Sequence, residues 1–351
     1  MRKQKAYILN QKIDHEFNAA GKAMQDVFKV FTENGVKVMP GVKKTAPKYA
    51  KILDIPILMW YALFVLRPGD YCIFSFPENN IKIKLLEKFA KKRGIKTVCF
   101  INDINSIRNG NFDKPEIKKW IQKDMELIGS ASIILAPNNN SKEFLQAQGI
   151  TSQIITVGTW DYIIEDEYPM GNDLHEPDEK WQIAFAGNLN KAPFIHHLDE
   201  IRDDNIFFKL WGKCDTFIEN SRNYEHMGAV PPDELPHYIA RCHLGLVWDG
   251  ESVHACEGGL GEYLKYNNSH KCGLYLASGL PVFVWKQSGL ADFVLENKCG
   301  FVIESLDDIP DILKDLSEDE YRQLLTRVAC VSKNVRRGHY LKQALEELFQ
   351  S

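Results

Sequence analysis

The chain has 351 residues, 44% of them hydrophobic and 26% charged, with a net charge of −4. That length suits two domains better than one, and the composition excludes disordered, collagenous and disulfide-scaffold classes. The charge is divided: residues 1–150 hold 25 Lys+Arg against 14 Asp+Glu, so the rest of the chain holds 18 against 33. A basic half joined to an acidic half predicts two domains with different partners.

The opening MRKQKAYILNQK has too short an apolar stretch for a signal peptide. In chain order, AYIL predicts a strand, HEFNAAGKAMQDVFKVFTENG an amphipathic helix and VKVM a second strand. The run ILDIPILMWYALFVL (52–66) follows, inside a helix over 47–66 that breaks or kinks near Pro56. It is shorter than the ~20 residues a spanning helix needs, so a buried or interfacial helix is expected. DYCIFSF, KTVCFI, SIILAP and QIITVG predict strands, alternating with the helices NNIKIKLLEKFAKKRG, PEIKKWIQKDMELIG and SKEFLQAQG. This β–α alternation predicts a parallel sheet with helices on both faces.

Residues 161–180, acidic and rich in turn formers, read as the linker. A second alternation then runs through WQIAFAG, NIFFKLWG, HMGAV, a PPDELPHYIA helix, LGLVW, a helix before GLPVFVW, GFVIESL and two terminal helices. The expected domains are 1–165, 166–332 and a closing helix over 333–351. The architecture expected is α/β, with two doubly wound, Rossmann-like domains facing a cleft at their strand C-termini.

Three strand ends of the second half share one logic. Gly187-Asn188 with Lys191, Trp211-Gly212 with Lys213, and Trp248-Asp249-Gly250 combine glycine for close ligand approach with lysine for phosphate and tryptophan for stacking. Asn268-Ser269-His270-Lys271 starts a helix that Gly279 and Pro281 end. A cation in a first turn opposes the helix dipole unless an anion binds there. In the first half, Asp103 follows a strand at the cleft edge and is the candidate general base, with turn capping as its alternative role. His15 is a second candidate. Nucleotide fingerprints, zinc-protease and nucleophile-elbow motifs and a strict Asp-x-Asp are all absent, so no metal is expected. The eight cysteines show no C-x-x-C pair, which favours free thiols and a cytoplasmic setting.

LGLVWDGE, YLKYNNSHKCGLYLASGLPVFVW and GLADFVLENKCGFVIESLDD resemble a bacterial family of GT-B glycosyltransferases. The family includes galactofuranosyltransferases of surface polysaccharide synthesis and glucosyltransferases that extend sugars on serine-rich adhesins. FSFPENN, FINDIN, VGTWDY, IAFAGNLNK and the terminal RRGHYLKQALEELF add to the resemblance. It implies a UDP-sugar donor on the second domain, an acceptor on the first and a last helix crossing back to the first domain. It also implies diphosphate held by Lys271 and the Asn268-Ser269 start, without a required metal or other cofactor. The implied acceptor is a saccharide, lipid-linked or carried on glycoprotein, and a homo-oligomer is compatible. A catalytically silent glycan-binding or partner-stabilising protein, and a UDP-sugar epimerase, are the competing readings. The six cations Lys82, Lys84, Lys88, Lys91, Lys92 and Arg93 lie on one helix whose apolar side is Ile81, Leu85, Leu86 and Phe89. They fit either a solvated helix face or peripheral contact with an anionic membrane at its inner face, and no motif there fits nucleic acid.

Overall fold

In the computed structural model the described residues are 4–9, 19–41, 53–78, 80–108, 114–164, 180–216 and 218–351. His15 and most of the expected linker, including its boundary at 165, lie outside them.

The first domain alternates β1 (Ala6–Ile8), α1 (Ala19–Glu33), β2 (Lys37–Val38), α2 (Asp54–Phe64), β3 (Tyr71–Phe76), α3 (Asn80–Arg93) and β4 (Lys96–Ile101). It continues with α4 (Asn105–Arg108), α5 (Pro115–Ile128), β5 (Ile133–Ala136), α6 (Asn139–Ala147) and β6 (Gln153–Thr156). Its parallel sheet has the order β2-β1-β3-β4-β5-β6. The central strands read as unbroken apolar runs because helices cover both faces: α2, α3 and α5 bury residues on one side, α1 on the other. Of the helix expected over 47–66, residues 47–52 lie outside the described residues, and Pro56 stands near the start of α2. It falls in the first turn of α2, where a missing N–H costs no helical hydrogen bond.

The second domain contains β7 (Trp181–Ala186), β8 (Ile206–Trp211), β9 (Tyr224–Gly228), α7 (Leu235–Ile239), β10 (Leu244–Val247) and α8 (Gly258–Tyr263). Then come α9 (His270–Ala277), β11 (Val282–Trp285), α10 (Ala291–Asn297), β12 (Gly300–Ile303), α11 (Ile309–Asp315) and α12 (Glu318–Arg336). The parallel order is β12-β11-β10-β7-β8-β9. The chain reverses its direction of strand addition between β7 and β10, so the crevice between their loops is a ready ligand site.

Two passages join the domains. Residues 160–164 cross beside α12, which stays on the second domain through Val328, Val331 and Val335. The final α13 (His339–Gln350) returns to the first domain and buries Leu341, Ala344, Leu345 and Leu348 against Val27 and Phe31 of α1. Asp161 accepts hydrogen bonds from the Tyr340 and Leu341 amides at 3.3 and 2.8 Å, so the first crossing caps the helix of the second. All eight cysteines are free. Among the described residues no helix is long and apolar enough to cross a membrane.

Candidate active site

The loops that follow β7 and β10 flank the switch point, and α9 begins beside them. Tyr275 seats α9: its hydroxyl accepts from the Ala186 amide at 2.8 Å. Its ring packs on β10 at Gly245, where a Cβ would come within 2.2 Å of it. Gly279, with φ of 84°, then turns the chain into β11.

This seating carries the first turn of α9 to the cleft. Lys271 reaches across to Asp249, after β10, with both carboxylate oxygens 2.9 Å from its ammonium. Its stem lies against Gly187, after β7, where a Cβ would stand 3.2 Å from Cε. The Lys271 ammonium also sits 5.1 Å from the centre of the Phe185 ring. Ser269 precedes the helix in extended backbone, and its hydroxyl makes no capping bond. The helix start therefore presents backbone amides, a positive dipole end and one ammonium toward the cleft.

The cleft holds about 310 Å³ and is lined by both domains: Asp103 and Arg108 face Gly187, Asn188, Lys191 and Asp249, with Ser269, His270 and Lys271 at its floor. A hollow of about 430 Å³ lies near Lys298, Gly300 and Arg327, at the opposite ends of the strands.

Of the expected donor contacts, Trp211 and Gly212 lie away from the cleft, and others line it with side chains already engaged. Trp211 is 3% exposed and packs in the second domain's core, so it offers no face for stacking. Gly212, with φ of 146°, lies under the Gly187 carbonyl, where a Cβ would come within 1.7 Å of the oxygen. It shapes the loop after β7 and does not line the cleft. Asn188 spends its side-chain oxygen on the Asn190 amide at 3.1 Å. Asn268 lines the cleft but does not cap α9. Its amide donates to the Pro137 carbonyl at 2.7 Å and its oxygen accepts from Asn138 at 3.0 Å, which ties the two domains together. His270 packs against Tyr162 with ring centres 4.9 Å apart and the planes tilted by 34°. Burial, then the nearby Lys22 ammonium, push its pKa down to about 3, against a hydrogen bond to the Asp161 backbone. It is neutral and adds no charge for an anion.

Asp103 lines the cleft with both oxygens engaged. Tyr263 of α8 donates its hydroxyl to Oδ1, and the Arg108 guanidinium stands 3.3 Å from Oδ2. The Tyr263 oxygen also accepts from the Ile104 amide at 2.9 Å. The glycine-rich segment before Leu264 thus folds as α8 and bolts the domains together across the cleft. Burial, reinforced by Asp103, pushes the Tyr263 phenol well above its usual range. Sequence reasoning did not assign Tyr263, and it named Asp249 at a strand end without giving its carboxylate a role. The Tyr263/Tyr266 pair in a glycine-rich stretch was the available signal for an interdomain contact.

Comparison with known proteins identifies the family and the fold. Residues 5–159 match the glucosyltransferase 3-like N-terminal domain and 183–348 the glucosyltransferase 3-like C-terminal domain. The chain is 27% identical over 286 residues to the β-1,6-galactofuranosyltransferase WbbI of Escherichia coli, covering 81% of this chain and 80% of that protein. It is 26% identical over 281 residues to glucosyltransferase 3 of Streptococcus gordonii, covering 79% and 78%. In fold it superposes on the sucrose-phosphate synthase of Thermosynechococcus elongatus with a TM-score of 0.64, at 11% identity and 99% and 98% coverage. An α-glucosyltransferase solved with UDP superposes with a TM-score of 0.56, at 9% identity and 99% and 100% coverage. With both of its domains matched, the chain belongs to the glucosyltransferase 3-like family and is a glycosyltransferase of the GT-B fold.

Proposed function

We propose that this chain transfers a hexose (galactofuranose, glucose or galactose) from a UDP-sugar to a saccharide acceptor of surface polysaccharide or glycoprotein synthesis. One observation carries the reading: Lys271, the uncapped start of α9 and the Gly187 loop converge at the β7/β10 switch point. The activities for which these relatives are named support a hexose as the group transferred.

In this reading the diphosphate lies against the α9 amides and takes Lys271 from Asp249. The acceptor oxygen bonds to the anomeric carbon as the bond from that carbon to the diphosphate oxygen breaks. Charge growing on UDP is met by the ammonium and the helix dipole, in place before reaction. No divalent cation is required, because those two groups supply the positive charge. Asp103 takes the acceptor proton, after the acceptor hydroxyl displaces Arg108 from Oδ2.

The test is a panel of UDP-sugars scored for thermal stabilisation and for UDP release with saccharide acceptors. A donor at 100 times its Kd stabilises by about 2.7 kcal/mol. That corresponds to a rise of roughly 5–10 °C for a domain of this size. If no UDP-sugar moves the melting temperature, the donor site has been misread.

A further inference from the structure

A crossover helix on a parallel sheet buries one side and turns the other to water, so its outer side should be polar. Helix α2 departs from that rule. Leu58, Ala62 and Leu66 pack into the core. The opposite side, at i, i+3 and i+7 spacing, carries Leu53, Pro56, Trp60, Leu63 and Phe64, all exposed. Leu53, Trp60 and Phe64 are 54, 55 and 72% exposed. The Trp60 and Phe64 rings lie 5.9 Å apart, so the stripe is continuous.

Helix α3 packs beside it and presents the complementary chemistry. Ile83, Leu86 and Ala90 are buried, while Lys84, Lys88, Lys91 and Lys92 are exposed. The carboxylate of Glu87 turns inward, accepting from the Thr97 hydroxyl at 3.0 Å. The Arg93 guanidinium donates to the Leu63 carbonyl, locking the lysine row beside the apolar stripe. Of the six cations expected on this face, four point outward; Lys82 is half-buried near Glu78 and Arg93 is held by α2.

We infer that the α2–α3 face docks on an anionic lipid bilayer. Trp60, Phe64 and Leu53 enter the headgroup boundary, while the α3 lysines meet anionic headgroups. Charge selects this occupant over a two-fold pairing of this face with itself. A two-fold contact would set one lysine row against the other. A nucleic acid could stack on Trp60 and Phe64 but would leave the exposed aliphatic Leu53, Pro56 and Leu63 uncovered, whereas a lipid boundary takes up all five. Both helices start at the strand ends that open onto the cleft, so docking brings the acceptor side of the cleft to the lipid surface. The proposal rests on the transferase reading only for that consequence, and vesicle binding tests it independently.

The experiment is co-sedimentation of the full chain with phosphatidylcholine vesicles, with and without phosphatidylglycerol, at low and high salt. UDP stabilisation of each protein serves as the fold check and reads the donor site separately. Wild type is expected to pellet with the anionic vesicles at low salt. Each lysine near such a surface multiplies partition by about five. K84E/K88E/K91E/K92E should therefore lose more than about 100-fold. Trp60→Ser/Phe64→Ser should lose at least about 10-fold, because both rings leave the boundary. Wild type remaining in the supernatant, or the four-lysine variant pelleting equally, overturns the inference. So does a wild-type dimer in sedimentation velocity that Trp60→Ser/Phe64→Ser dissolves, since it would give the stripe to a second copy.

Discussion

Removing the Lys271 ammonium tests the donor site most directly, and the structure sets the size of the effect. In Lys271→Ala the diphosphate loses one charge-assisted contact, worth about 1.5–3 kcal/mol. UDP affinity should therefore fall roughly 10- to 150-fold. The variant also strands Asp249, which holds Lys271 through both oxygens at 2.9 Å and whose side chain is 21% exposed. A carboxylate without its partner then faces the diphosphate, and repulsion adds to the loss. Asp249→Asn alone removes a competitor for Lys271, so its affinity should equal or exceed that of wild type. The double variant Lys271→Ala/Asp249→Asn should bind UDP more tightly than Lys271→Ala, because the repulsion is gone. Calorimetric titration of the four proteins with UDP closes the cycle. Wild-type affinity in Lys271→Ala would remove the lysine from the site. A large loss in Asp249→Asn would show that Asp249 holds Lys271 in place for the donor and does not merely occupy it.

Asp103→Asn should lower turnover by about 10²–10⁴ with UDP affinity kept, since proton removal matters only as the bond forms; wild-type turnover would return Asp103 to its contacts with Tyr263 and Arg108. Transfer should persist in EDTA, and loss that magnesium or manganese restores would contradict the proposed charge stabilisation. Stability should fall by a few degrees of melting temperature between about pH 5 and pH 8. Burial raises Glu87 to about 7 and Asp161 to about 8, with hydrogen bonds to each pulling the other way. The native state then binds more protons than the unfolded chain across that window, so stability declines as pH rises. Asp161→Asn should flatten the decline, and an unchanged pH profile in that variant would refute the assignment.

Much of the fold was legible in the sequence because its signals are local. Buried parallel strands read as apolar runs, and crossover helices carry a 3.6-residue period with glycine or proline at their ends. The β–α order implied a switch point before any strand was paired. Lys271 was legible for a similar reason, since a cation in a first turn conflicts with the dipole whatever surrounds the helix. Trp211 was misjudged because a strand-end tryptophan looks the same in sequence whether it stacks on a ligand or enters the core. The packing of β8 within its sheet decides which. Asn268 likewise has the residue type of a cap, yet its side chain is claimed by Pro137 and Asn138 about 130 positions earlier. The rotation of α3 also turns Glu87 inward against Thr97 and leaves Ile81, expected on the apolar side, exposed with the lysines. The Lys271–Asp249 pair, the Tyr263 bolt and the apolar outer stripe of α2 belong to tertiary structure alone. Each depends on how one element is rotated and placed against another, and local periodicity carries no information about that placement.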